Sequence, residues 1–278
     1  MSSTWSQLLI SAAKMITWPM RPYRRANTLA LVSEGLTQRL IKPVPGGWIT
    51  FESPTARSLH DANSITHGEP ETIAWLDTLP EGKLLWDIGA NIGVYSLYAA
   101  YVRRMRVAAF EPSAASHAAL CRNIEINDLD ELIQPFCLAL AAHTGIDYLH
   151  MANTSAGHSM HAFGQENSIE GPIQTQFKQS VTGYSIDEFL ETFSVSPPDY
   201  VKLDVDSIEA EILEGGRTTL TNSVQAILVE SDQPQARISE SRIRQLLEGM
   251  GFQMLSGTGN IRNVVFEKIH RATPEKPG

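Results

Sequence analysis

Residues 84–93 read LLWDIGANIG, a short apolar run that breaks into a glycine-punctuated turn. Leu84 to Ile88 suits a strand buried on both faces of a parallel sheet. Gly89 can take a tight left-handed turn and lets a ligand approach the backbone closely. Val94, Leu97, Tyr98 and Tyr101 then fall at i, i+3, i+4 and i+7, the spacing of a helix face. A strand that passes through glycine into a helix offers unpaired N–H groups at the helix start, a seat for a ligand carboxylate.

Downstream, Val107 to Phe110 reads as a second strand and Glu111 follows it directly, 22 residues beyond Gly89. An acidic residue about 20 positions past such a turn can accept hydrogen bonds from two ribose hydroxyls, so turn and acid together point to an adenosine-containing ligand. The glycines are spaced G-x-x-x-G, with Asn91 where a dinucleotide site wants glycine. That spacing favours a methyltransferase turn. A nicotinamide-dependent oxidoreductase is the alternative, and a non-catalytic interaction module built on the same fold is a third reading.

The alternation continues. Helical patterns cover 114–127, 186–193, 208–213 and 239–250, and strand patterns cover 133–138, 200–205 and 226–230. The segments 252–255 and 263–268 read as a closing antiparallel pair. The expected fold is therefore α/β: a doubly wound, Rossmann-like, mostly parallel sheet with helices on both faces and a C-terminal antiparallel strand pair. Residues 57–79 read mainly as one helix, and 141–182 as a polar insertion with weak strand signals near Tyr148 and Val181. Prolines and the Gly46-Gly47 pair mark residues 1–54 as a preface. The methyltransferase-like domain then spans 55–270, and 271–278 is expected to be a disordered tail.

Composition narrows the partners. The 278 residues carry a formal net charge of -9, which argues against nucleic acid, whose phosphates call for a basic face. Cys121 and Cys137 are too few for a disulfide framework or a zinc site, and a cytoplasmic location is expected. Residues 5–18 (WSQLLISAAKMITW) are apolar and precede Arg21, Arg24 and Arg25, the reverse of the order in a signal peptide. The segment reads as an amphipathic helix packed on the core or on a second copy in a homo-oligomer, with peripheral contact to a membrane surface as the alternative.

Three blocks carry a resemblance: WDIGANIGVYSLYAA, AFEPSAASHAALCRNIEIN, and YVKLDVDSIEAEILEGG followed by AILVE. In this order, from about Leu84 to Glu230, they resemble the FkbM family of methyltransferases. The resemblance implies O-methyl transfer from S-adenosylmethionine to a hydroxyl of a sugar, a glycan or a small natural product. It implies a cofactor turn of Asp87, Gly89, Ala90, Asn91 and Gly93, with Gly89, Asn91 and Gly93 at the methionine end. Glu111 would hold the ribose, and Ala139 and Leu140 would lie near the adenine. Ser207 departs from the pattern, where the family commonly has glycine.

Catalysis is expected next to that turn. Asp204 ends a strand, within a cluster that includes Lys202, Asp206 and Glu209. A carboxylate there can take the proton of a reacting hydroxyl. Alternatively, Asp204 and Glu230, ending neighbouring strands, hold a divalent ion such as Mg2+. Asp206 and Glu209 also fit a capping box. His158, in the segment GHSMH, is a second candidate base.

Overall fold

The computed structural model describes residues 4–159, 161–168, 171–205, 208–230, 241–255 and 263–269. The chain forms two compact units, residues 1–39 and residues 40–278. In the first, helices α1 (Thr4–Ile16) and α2 (Pro22–Gly35) flank a turn at Pro19. The buried Thr17 hydroxyl donates to Ala13 O at 2.8 Å and closes the end of α1.

The second unit opens within β1 (Gln38–Val44), which forms a hairpin with β2 (Gly47–Ser53). The sequence reading placed these residues in the preface. In the structure Ile49 and Phe51 are buried in the main core, and the Asn127 and Asn123 side chains accept from Thr50 N and Glu52 N, each at 2.8 Å. The single helix expected over 57–79 is two, α3 (Ala56–Asn63) and α4 (Pro70–Thr78). Pro70 lacks an N–H and disfavours helix in the residue before it, so the chain must restart there.

The main sheet contains β3 (Leu84–Ile88), β4 (Arg106–Phe110), β5 (Ile133–Phe136), β12 (Tyr200–Leu203), β13 (Ala226–Glu230), β14 (Phe252–Met254) and β15 (Asn263–Lys268). Their order is β14-β15-β13-β12-β3-β4-β5, with β15 antiparallel to both neighbours. A dinucleotide-binding sheet runs 3-2-1-4-5-6 without a reversed strand near its edge. Strand alternation explains why both faces are covered. Leu85 joins a core with α4, α5 (Val94–Arg103) and α6 (Ala114–Glu125). Leu84, Trp86 and Ile88 join the opposite core with α7 (Ile186–Thr192), α8 (Glu209–Gly215), α9 (Arg217–Ser223) and α10 (Arg242–Gly249).

The polar insertion folds into a second sheet, which the sequence reading did not resolve. It contains β6 (Ala139–Leu140), β7 (Gly145–Met151), β8 (Ala162–Phe163) and β11 (Phe177–Tyr184), in the order β6-β11-β7-β8. Strands β9 (Asn167–Ser168) and β10 (Gly171–Pro172) form a small ladder beyond it. The first four residues of β7 are exposed and the last three buried, so no regular alternation marks the strand in sequence. The expected tail, 271–278, lies outside the described residues, as do Asp206 and Ser207.

Candidate active site

Strand order reverses between β3 and β12, which lie side by side and parallel. Ligands of such sheets bind outside the carboxyl ends of the strands at that point. There the turn after β3 takes a left-handed conformation at Gly89 (φ 87°), Asn91 (φ 49°) and Gly93 (φ 89°). Only glycine does so without cost, and asparagine is among the most tolerant of the others. A methyl group on Gly89 would sit 1.7 Å from Asp204 O, so this glycine is what lets the end of β12 close against the turn.

The N–H groups of Gly89 and Ala90 both donate to Phe110 O at 3.0 Å, which ties the turn to the end of β4. Glu111, one residue on and buried, accepts from Asn91 N at 2.8 Å and from Ser113 N at 2.7 Å. A carboxylate can accept about four hydrogen bonds. These backbone donors orient Glu111 at the rim of the turn.

The loop around His158 crosses above. Asn91 Nδ2 donates to Gly157 O at 3.3 Å, Gly157 N donates to Ser116 Oγ at 3.2 Å, and Thr55 Oγ1 donates to Ala156 O at 2.7 Å. Asn91 Oδ1 is buried with no hydrogen-bond partner. The insertion is thus stitched to α3, α6 and the glycine turn.

On the other side, Lys202 is 1% exposed, with Nζ 2.8 Å from Asp204 Oδ2, 3.8 Å from Asp87 Oδ1 and 5.0 Å from the centre of the Tyr95 ring. Burial alone would push this ammonium down, but Asp204, Asp87 and Glu69 outweigh it and raise it well above the ordinary lysine value. Burial pushes the Asp87 carboxyl up, against the pull of Lys202 and of the Ser96 hydroxyl at 2.5 Å. Burial, then Glu69, raises the Tyr95 hydroxyl.

Most of the sequence candidates line one cleft: Gly89, Ala90, Asn91, Glu111, Ala139, Leu140, His158, Asp204 and Glu230. Asp87 and Gly93 do not line it. Asp87 anchors Lys202 from behind, and Gly93 gives room to the Leu97 and Leu120 side chains. The cleft also takes in Arg57, Asp61, Glu69, Tyr95 and His161, which sequence reasoning did not place there. Four of these come from α3, α5 and the start of α4, beyond the strand ends where motifs were sought.

The metal reading is not supported. The carboxylate of Asp204 is engaged by a buried ammonium, which already supplies the positive charge a divalent ion would bring. Among the described residues no group of three or more His, Cys, Asp or Glu is arranged to hold a metal ion.

The family described as "Methyltransferase FkbM domain" matches residues 87–254, which include the turn, Glu111, the insertion and Asp204. The chain belongs to this methyltransferase family. The chain is 26% identical over 208 residues to the hexuronic acid methyltransferase AglP of Haloferax volcanii, covering 74% of this chain and 80% of that protein. It is 25% identical over 198 residues to the methyltransferase sdnD of Sordaria araneosa, covering 63% of this chain and 76% of that protein. Among solved structures, an FkbM methyltransferase from Methylobacillus flagellatus KT aligns with a TM-score of 0.44 and 14% identity, over 68% of this chain and 44% of that one. Membership of this methyltransferase family sets the nicotinamide oxidoreductase reading aside.

Proposed function

We propose that this FkbM protein transfers a methyl group from S-adenosylmethionine to a hydroxyl oxygen of a sugar, a glycan or a small natural product. The observation that carries the reading is the pairing of Glu111 with the Gly89–Asn91 turn at the point where strand order reverses. The name of one relative, a hexuronic acid methyltransferase, supports a sugar-derived acceptor.

The residues present fit the donor. Glu111 is oriented to accept from two ribose hydroxyls, and the buried Ala139 and Leu140 offer an apolar wall to a purine. The partnerless Asn91 Oδ1 fits the ammonium group of an amino-acid moiety. S-adenosylmethionine, when bound, supplies an electrophilic methyl whose bond to sulfur breaks as the bond to the acceptor oxygen forms. Asp204 orients the acceptor hydroxyl and takes its proton. Lys202 holds the Asp204 carboxylate in place. His158, which also lines the cleft, is the second base to test.

The test is titration calorimetry with S-adenosylmethionine and S-adenosylhomocysteine, followed by transfer of a labelled methyl group to hydroxylated sugars. Micromolar binding, about -8 kcal/mol, is expected. Absence of binding by both compounds from folded protein would refute the proposal.

A further inference from the structure

Residues 1–39 carry five basic side chains (Lys14, Arg21, Arg24, Arg25 and Arg39) and one acidic one, Glu34, in a chain whose formal net charge is -9. Helix α1 sets Trp5, Leu8, Leu9, Ala12, Met15 and Ile16 on one arc, with Ser6, Gln7, Ser11 and Lys14 opposite, where Ile10 is the one large apolar residue. No residue of α1 is buried. Trp5 is 76% exposed, Leu9 70%, Met15 71% and Ile16 73%. Just beyond the helix end Trp18 and Tyr23 are equally open, with the Arg25 guanidinium 5.0 Å from the Trp18 ring centre. Singly exposed apolar residues are ordinary, but a continuous apolar arc on a helix needs a cover.

We infer that residues 1–39 are a membrane-surface anchor for an anionic lipid leaflet. Helix α1 lies in the interface with its arc toward the acyl chains, and Arg21, Arg24 and Arg25 meet the lipid phosphates. Three observations select this occupant. The charge of the segment is opposite to that of the rest of the chain and complements anionic lipid. Trp5, Trp18 and Tyr23 bracket the arc, as residues that settle at a membrane–water boundary do. A helix of 13 residues is about 20 Å long, too short to cross a hydrocarbon core of about 30 Å, and no described helix is long and apolar enough to span. A second copy is the weaker occupant, because a symmetric pairing of this face brings two basic segments together.

The test is co-sedimentation of the full chain with phosphatidylcholine vesicles, with and without phosphatidylglycerol. Binding should require phosphatidylglycerol and weaken as salt is raised. Leu9→Glu and Ile16→Glu each place a charge on the exposed arc and should weaken binding about tenfold or more without changing the melting temperature. Arg24→Glu should lower the preference for anionic vesicles by about fivefold or more. Two results would overturn the inference. One is folded protein that stays in the supernatant with phosphatidylglycerol vesicles. The other is a lipid-free dimer that Leu9→Glu dissociates, which would make the arc a contact between copies.

Discussion

The N–H of Asn91 donates to Glu111 Oε2 at 2.8 Å, so the turn after β3 and the residue after β4 form one unit. Replacing Glu111 therefore removes both the expected ribose acceptor and a brace of the turn. Glu111→Gln keeps the shape and should weaken S-adenosylmethionine binding by about 1.5–3 kcal/mol in calorimetry, with little loss of thermal stability. Glu111→Ala should lose affinity and also lower the melting temperature. Unchanged affinity in both variants would remove Glu111 from the cofactor site.

Gly89 separates steric closure from backbone conformation when compared with Gly46. Both have positive φ, 87° and 83°, but a methyl group on Gly46 meets nothing within 4 Å, whereas one on Gly89 meets Asp204 O. Gly46→Ala should cost about 1–2 kcal/mol, the backbone cost alone. Gly89→Ala should cost about 3 kcal/mol or more, because β12 must move as well. Urea denaturation of the two variants checks the difference.

Lys202 is expected to be structural and Asp204 chemical. Lys202→Met leaves Asp87 and Asp204 facing a buried gap and should destabilise the fold by about 3–5 kcal/mol. Asp204→Asn keeps an acceptor for Lys202 but removes its nearest counter-charge, so the melting temperature should fall, while donor affinity of the folded protein holds and turnover per folded molecule falls by about 10²–10⁴. Normal turnover per folded molecule in Asp204→Asn would move the role of base to His158.

His161 makes stability depend on pH. Burial, reinforced by the charge of His158, pushes its imidazole down to about 4 from the ordinary 6.5. The unfolded chain then binds the proton more readily than the folded one. The contribution is full above pH 6.5 and is lost as pH falls through about 4. Because the ring keeps some exposure, the loss should be about 1–3 kcal/mol. Urea midpoints measured from pH 7 to pH 4 should fall more steeply for the wild type than for His161→Gln, and parallel curves would contradict this.

Lining the cleft needed contacts between segments far apart in the chain. Arg57 and Glu69 sit before the first strand of the main sheet, and no spacing relates them to Asp204. Lys202 could be read as a neutraliser of some neighbour. That Asp87, far away in sequence, and the Tyr95 ring of α5 are among those neighbours followed only from the packing.

The doubly wound order was legible because its causes are local. Apolar runs such as 84–88 must be buried on both faces, glycine and asparagine at 89–93 permit a turn few other residues allow, and Glu111 follows its strand at a fixed distance. The second sheet, the break before Pro70 and the placing of the β1–β2 hairpin were decided by tertiary structure. A strand half exposed shows no regular alternation, and a hairpin or helix is assigned to a core only by what it packs against. Side-chain pairing in the cleft belongs to the same class, since a charge is defined by its neighbours in space and the chain places those neighbours only when it closes.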